Sequence, residues 1–320
     1  MILLPDGSTA LTNNAHVIWT AKPSEFTLAP LTSGLTYTDE DGDLPSGTAI
    51  TLANPPGVTW TWKNGATALT DDQLSQPLQS NFAGGTVLTV SVSTPVNVTA
   101  VSGLPNSGSQ TFVTPTFNVV VKAPPTIYVN GTPFAIDAGF PKTGFVGANF
   151  QFYMNGTNAV DNGTYTYTTN QPGWTTVSST GVVTFTRMPT AAEKAVTITI
   201  TDTTGVDAPR DYAFTPDLWF VNRGNTKNTP AQADTYCVGL GATPSHTVMS
   251  SGSRAADGRL WDEWGSMSAY GTDAGWNSSG YWAKEKELGG SYRYYVLLSS
   301  GVVGNARSDG TYYVACSRSL

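Results

Sequence analysis

Val87-Leu88-Thr89-Val90-Ser91-Val92 puts Leu88, Val90 and Val92 on one side and Thr89 and Ser91 on the other. Side chains along a strand point to opposite faces in turn, so this alternation predicts a strand with one buried face. Similar runs stand before and after it: Val17-Ile18-Trp19, Val58-Thr59-Trp60-Thr61-Trp62 and Phe117-Asn118-Val119-Val120-Val121. Turn-forming clusters lie between them, among them Asn54-Pro55-Pro56-Gly57 and Lys63-Asn64-Gly65. Short strands separated by such turns predict a β-sandwich over residues 1–123.

Lys122-Ala123-Pro124-Pro125 reads as a linker, because two prolines cannot continue a central strand. The same rhythm then resumes in Phe150-Gln151-Phe152-Tyr153, Tyr165-Thr166-Tyr167-Thr168, Val182-Val183-Thr184-Phe185 and Val196-Thr197-Ile198-Thr199-Ile200-Thr201. Ser179-Thr180-Gly181 reads as a hairpin turn in which glycine supplies a positive φ. A second sandwich is expected over 124–215.

From 216 to 320 the character changes. Aromatics are dense, and helix signals appear. Thr229-Pro230-Ala231-Gln232 is a capping box with proline in the first turn. It predicts a helix running to Leu240 and stopping at Gly241, with Ala233, Tyr236, Cys237 and Leu240 facing a core. A second helix is expected from Gly258 to Tyr270, with Leu260, Trp264 and Met267 or Ser268 on one face. Short strands follow at Tyr281-Trp282, Tyr292 to Leu298 and Thr311 to Cys316, which makes this part an α+β domain. Of its fourteen named aromatics, from Trp219 to Tyr313, at least two-thirds are expected to be buried.

Composition narrows the function classes. Charged residues are 12% of the chain and the formal net charge is −7, with an isoelectric point near 4.7. No basic run faces a phosphate backbone, so nucleic acid is not expected as a partner. No run approaches the roughly 20 apolar residues of a membrane helix, so no membrane insertion by this part is expected. The acidic, Thr-rich surface suits a secreted or surface protein. Met1-Ile2-Leu3-Leu4-Pro5-Asp6 lacks the features of a signal peptide, which reads as a fragment of a longer exported chain. The two cysteines, Cys237 and Cys316, suit a disulfide in such a setting; two buried free thiols are the alternative. A bridge closing so long a loop contributes roughly 4–5 kcal/mol in the chain-entropy model.

Chemistry-bearing motifs are sparse. Asp39-Glu40-Asp41-Gly42-Asp43 is the one dense acidic run; its glycine is misplaced for a calcium loop, so a solvated turn is the plainer reading and a cation site the other. The two histidines, His16 and His246, lie far apart, which leaves no tetrahedral zinc set. Ser245, His246 and Asp257 lack a nucleophile elbow, and no catalytic residue is assigned. Asn97-Val98-Thr99 and Asn277-Ser278-Ser279 are glycosylation triplets that a Thr- and Asn-rich chain produces by chance. No cofactor is expected.

Three stretches of the last part carry a family resemblance: Ala233-Asp234-Thr235-Tyr236-Cys237, Trp261-Asp262-Glu263-Trp264-Gly265, and Gly310-Thr311-Tyr312-Tyr313-Val314-Ala315-Cys316. With Pro172-Gly173-Trp174 and Gly181-Val182-Val183-Thr184-Phe185 in the middle part, the chain resembles the exported part of the invasin/intimin family, without fixing which paralogue. The resemblance implies a mainly β fold: two immunoglobulin-like β-sandwich domains followed by an α+β C-type-lectin-like domain. It implies a rod displayed on the bacterial surface by an outer-membrane barrel lying outside this sequence, with the last domain binding a host protein. The partners implied are a host cell-surface protein, such as an integrin-like receptor, or host immunoglobulin; a purely structural spacer or biofilm module is the rival, and the chain is expected to be a monomer.

Sugar binding through calcium is not expected, since Trp276-Asn277-Ser278 lacks the carboxylate of sugar-binding lectin-like domains and no Glu-Pro-Asn or Gln-Pro-Asp occurs in the last domain. Interfaces favour Tyr, Trp and Arg as anchors. The expected partner-binding residues are therefore Arg254, Asp257 and Arg259 in one loop, Asp273, Trp276 and Asn277 in a second, and Arg307 and Asp309 with Asn305 in a third.

Overall fold

The computed structural model of the protein describes residues 1–29, 45–52, 57–100, 107–205, 207–287 and 289–320. Asp39, Asp41 and Asp43 lie outside these residues. The chain is mainly β, as expected, and divides into two compact units, Met1–Pro124 and Pro125–Leu320.

The first unit is built on Val87–Ala100, a strand of 14 residues. Thr59–Asn64 and Phe117–Val121 flank it, both antiparallel, and Ala15–Val17 adds in parallel beyond Phe117–Val121. Pro45–Leu52 and Ser107–Val113 pair with the far part of the long strand. Leu88, Val90 and Val92 are all fully buried, so the alternation in the sequence finds its inward face. That face is covered by a small sheet of Ile2–Leu3 and Thr27–Leu28, with Phe26 edge-on to Trp62 at 4.9 Å.

The second unit contains a sandwich and a terminal part fused through one core. One sandwich sheet runs in the order Thr132–Ala135, Thr126–Val129, Asn149–Tyr153, Val182–Phe185, Thr175–Val177. The other is Tyr165–Thr169, Val196–Asp202, Arg210–Phe214. Val196, Ile198 and Ile200 are buried from the second sheet and meet Phe150, Phe152, Val183 and Phe185 from the first. The turn before Val182 has Gly181 at φ 74°, as its sequence predicts.

In the terminal part, Gly280–Lys286, Tyr292–Leu297 and Val302–Arg307 form an antiparallel sheet in that order. One of its faces meets the core through Tyr281, Ala283 and Val296. The other carries Trp282 and Tyr295 against the helix Pro230–Cys237 and the Cys237–Cys316 disulfide. The disulfide joins this helix to the strand Ala315–Ser319, with the Cα atoms 5.3 Å apart. The Thr229–Gln232 capping box forms as predicted. The helix nevertheless ends at Cys237, because Gly239 and Gly241 take positive φ values; Val238 and Leu240, the latter expected in the core, are exposed. The second expected helix is broken into Leu260–Trp264, Met267–Tyr270 and Gly271–Ala274. Gly265, at φ 72°, ψ −150°, causes the first break. Leu260, Trp264 and Met267 still share a buried side. Residues 301–310, read as a loop, contain a strand of six residues.

The terminal part is tied to the sandwich by backbone, apolar and polar contacts. Thr143–Gly144 pairs in parallel with Leu218–Asn222, which pairs antiparallel with Ala315–Ser319. Phe140 and Phe145 pack against Trp264, and Phe145 also against Tyr270 and Trp276. The buried Glu263 carboxylate accepts hydrogen bonds from the amides of Lys142 (2.9 Å), Thr143 (2.8 Å) and Gly258 (3.3 Å) and from the Thr143 hydroxyl (2.5 Å). That hydroxyl accepts in turn from the Trp264 indole at 2.9 Å. A buried carboxylate costs free energy unless such donors surround it. Here four donors pull its pKa down, yet burial outweighs them and lifts it to about 7.

Candidate functional site

The structure turns three of the eight expected contact residues inward and four outward. Arg254, Trp276 and Asn277 turn inward. The Arg254 guanidinium donates to Val129 O (2.9 Å) and Glu263 O (3.1 Å) and lies 5.7 Å from the Phe134 ring centre, so it fastens the terminal part to the sandwich. Trp276 is 3% exposed and packs on Phe145 and Tyr281. Asn277 donates from its amide group to Gly224 O, and its backbone N–H donates to the Tyr281 hydroxyl. None of these three offers a free side chain for an outside contact. Asp273 is placed by its backbone in the short helix Gly271–Ala274, whose last residue, Ala274, meets Asn222 and Gly147.

Asp257, Arg259, Arg307 and Asp309 lie outward, and a run of contacts leads from the first pair to the second. Arg259 is salt-bridged to Asp257, reaches Asp262 at 3.6 Å and donates from Nε to Thr247 O at 2.9 Å. Thr247 follows His246 on the turn His246–Met249, and the His246 ring stacks on Tyr294 with centroids 5.1 Å apart. Tyr294 is directly across from Asn305, and Tyr292 from Arg307. Cross-strand partners share a face, so Tyr292, Tyr294, Asn305 and Arg307 stand together. Tyr292 is exposed, and the Arg307–Asp309 pair is more than 70% exposed on both sides.

Supporting contacts hold this face still. Asp262 is fully buried and accepts from the hydroxyls of Ser250 (3.1 Å) and Ser251 (2.5 Å) and from the Ser251 amide (3.0 Å). Glu285 accepts from the Ser245 hydroxyl and from the His246 amide (3.1 Å), and its Oε2 also lies 3.1 Å from His246 Nδ1. The Ser245 hydroxyl is committed to Glu285 and Thr247 rather than to His246, which is not the geometry of an activated nucleophile. On the opposite side of the sheet, buried Arg293 clamps Asp234 with two bonds of 2.7 and 2.6 Å. The guanidinium holds the Asp234 carboxyl below its ordinary pKa.

Residues 125–214 match the family model for invasin domain 4. The chain is 34% identical over 161 residues to an invasin of Yersinia enterocolitica, across half of this chain and 19% of that protein. It is 31% identical over 200 residues to the inverse autotransporter adhesin YeeJ of Escherichia coli strain K12, across 61% of this chain and 8% of that protein. The crystal structure of invasin, described as a bacterial integrin-binding protein, superposes with a TM-score of 0.55 at 22% identity, covering 88% of this chain and 74% of the other. The chain is thus similar to bacterial adhesins of the invasin type, of whose curated members it spans less than a fifth.

The chain shares its fold with invasin, in keeping with the immunoglobulin-like and lectin-like parts expected from the sequence. Within that frame the sequence reading missed His246, Tyr292 and Tyr294, which stand toward the exposed end of the sheet face that meets the core at Val296. Tyr292 and Tyr294 carried a signal, since they alternate in a strand whose partner begins at Val302. His246 carried none, because its stacking partner is 48 residues away along the chain. Of the fourteen aromatics, seven are buried: Trp219, Phe220, Trp264, Tyr270, Trp276, Tyr281 and Trp282. That is fewer than expected, because the terminal sheet leaves several tyrosines partly exposed instead of covering them.

Proposed function

We propose that the second unit is the docking module of a bacterial surface adhesin. Its lectin-like part holds a host surface protein through the face formed by Asp257, Arg259, His246, Tyr292, Tyr294, Asn305, Arg307 and Asp309. The observation that carries this reading is the run of contacts from Arg259 through Thr247 and His246 to Tyr294, on the sheet face that also bears Tyr292 and Arg307. Tyrosine supplies contact area at low entropic cost and arginine supplies directed charge, the pairing that dominates protein interfaces. The contact uses side chains and requires neither metal nor cofactor. Similarity to invasin, described as an integrin-binding protein, favours an integrin-like receptor as partner. The three-part division, 1–123, 124–215 and 216–320, display at the bacterial surface and a monomeric state belong to the same proposal.

The test is retention of the full chain on cultured epithelial cells, compared with the triple variant Arg259→Ala, Tyr292→Ala, Arg307→Ala. Loss of hot-spot side chains costs roughly 2 kcal/mol or more each, so affinity is expected to fall at least thirtyfold. Unchanged affinity in a folded triple variant contradicts the assignment.

A further inference from the structure

Val302–Arg307 is the outer strand of the terminal sheet and pairs only with Tyr292–Leu297 among the described residues. The direction of its backbone groups follows from the register. Ser308 N–H donates to Ser291 O at 2.9 Å, directly opposite in the continuing register. In an antiparallel ladder, hydrogen-bonded pairs alternate with non-bonded ones. Counting back, Ala306, Gly304 and Val302 turn their amides inward, and Val303, Asn305 and Arg307 turn theirs outward. Arg307 O is taken by the Gly310 amide. The other outward groups, the N–H and C=O of Val303 and Asn305 and the N–H of Arg307, have no backbone partner among the described residues.

Other edges of this unit are blunted in ways that natural sheets use against strand addition. Thr132–Ala135 contains Pro133. Thr175–Val177 has three residues. Arg210–Phe214 opens with the charged pair Arg210-Asp211. Gly280–Lys286 is covered by Tyr313, and Ala315–Ser319 by Ala242. Tyr165–Thr169 leads into Thr175–Val177, which packs beside it. Val302–Arg307 has no proline and a regular register throughout, carries its one charge at its last residue, and exposes Val302 by 54% and Val303 by 37%.

We infer that this edge captures the receptor by strand addition, an inference that rests on the docking face proposed above. The occupant is an extended, proline-free segment of the host protein that continues the terminal sheet as a fourth strand. Its backbone meets the outward groups of Val303, Asn305 and Arg307. Its apolar side chains flank Val302 on one face of the sheet and Val303 on the other, and a carboxylate near its other end takes Arg307 from the exposed Asp309. Backbone pairing supplies affinity, and the side chains at the two ends supply choice of sequence.

The test compares three forms of the full chain on cultured epithelial cells: wild type, Asn305→Ala and Asn305→Pro. Proline is tolerated where a strand's N–H faces solvent, so the proline variant should keep its fold, which near-ultraviolet circular dichroism checks. Asn305→Ala keeps the outward N–H, whereas Asn305→Pro removes it. At least tenfold weaker retention of the proline form than of the alanine form is expected. Should the proline form be misfolded, Val303→Pro is compared with Val303→Ala in the same way. Amide exchange gives a second readout: Val303, Asn305 and Arg307 should gain protection on the cell-bound chain's purified receptor complex. Equal retention of folded proline and alanine forms, or unchanged exchange at these amides, overturns strand addition while leaving side-chain docking in place. Failure of the wild type to be retained at all overturns both. Concentration-dependent dimerisation that is lost in the proline form assigns the edge to a second copy of the chain and overturns the receptor assignment.

Discussion

Glu263 shows how one side chain can join two parts of a fold. Its carboxylate gathers donors from Lys142, Thr143 and Gly258, so it is a positioning residue for the terminal part rather than a contact residue. Its pKa, lifted to about 7 from an ordinary 4.5, sets the sign of its pH effect. Between those values the folded state holds a proton that the unfolded state has released, so stability from this group is full below pH 4.5 and declines as pH rises to 7. Glu263→Gln removes that slope and also turns an NH2 group toward backbone donors, at a cost of about 2 kcal/mol. Urea unfolding of both forms at pH 5 and pH 8 checks this; an undiminished pH slope in the variant contradicts it. Nothing local in Trp261-Asp262-Glu263-Trp264-Gly265 reveals the role, because Lys142 and Thr143 stand 121 and 120 residues earlier in the chain. Arg254 is the same case: a loop arginine suggested a surface contact, while its acceptor, Val129, lies 125 residues away.

Elements announced by local chemistry were legible. The capping box at Thr229 formed, and the alternating runs around Val90 and Ile198 became strands with buried inner faces. Elements rich in glycine were not. Gly301, Gly304 and Gly310 made residues 301–310 look like a loop, yet each has a specific place. Gly301 takes φ 76° in the hairpin turn, and an added Cβ would stand 2.4 Å from the Trp261 ring. Gly304 lies directly beneath the Tyr295 ring, where a Cβ would stand 2.7 Å from it. Those glycines allow the outer strand to lie flat against aromatic neighbours. Gly301→Ala therefore strains the backbone and displaces Trp261, costing about 2 kcal/mol or more. A melting temperature within a degree of wild type would contradict that packing.

The chain divides into two compact units, and the proposed parts 124–215 and 216–320 both lie within the second. The linker at Pro124-Pro125 separates two cores, whereas one core continues across residues 215 and 216. Trp174, Phe185, Trp219 and Trp264 belong to one aromatic cluster drawn from both sides of that position. Composition does not reveal such fusion, since each side has its own strands and turns. Residues 216–320 alone would expose the faces of Trp219, Trp264 and Trp276, so that piece is expected to lack the near-ultraviolet circular dichroism of a packed core and Pro125–Leu320 to show it. The most direct measurement of the docking account is the affinity of three proteins for the same cultured epithelial cells: the full chain, Pro125–Leu320 and Met1–Pro124. The account predicts that Pro125–Leu320 matches the full chain within about threefold, roughly 0.7 kcal/mol, and that Met1–Pro124 shows no saturable binding. Saturable binding by Met1–Pro124 with none by folded Pro125–Leu320 would contradict it.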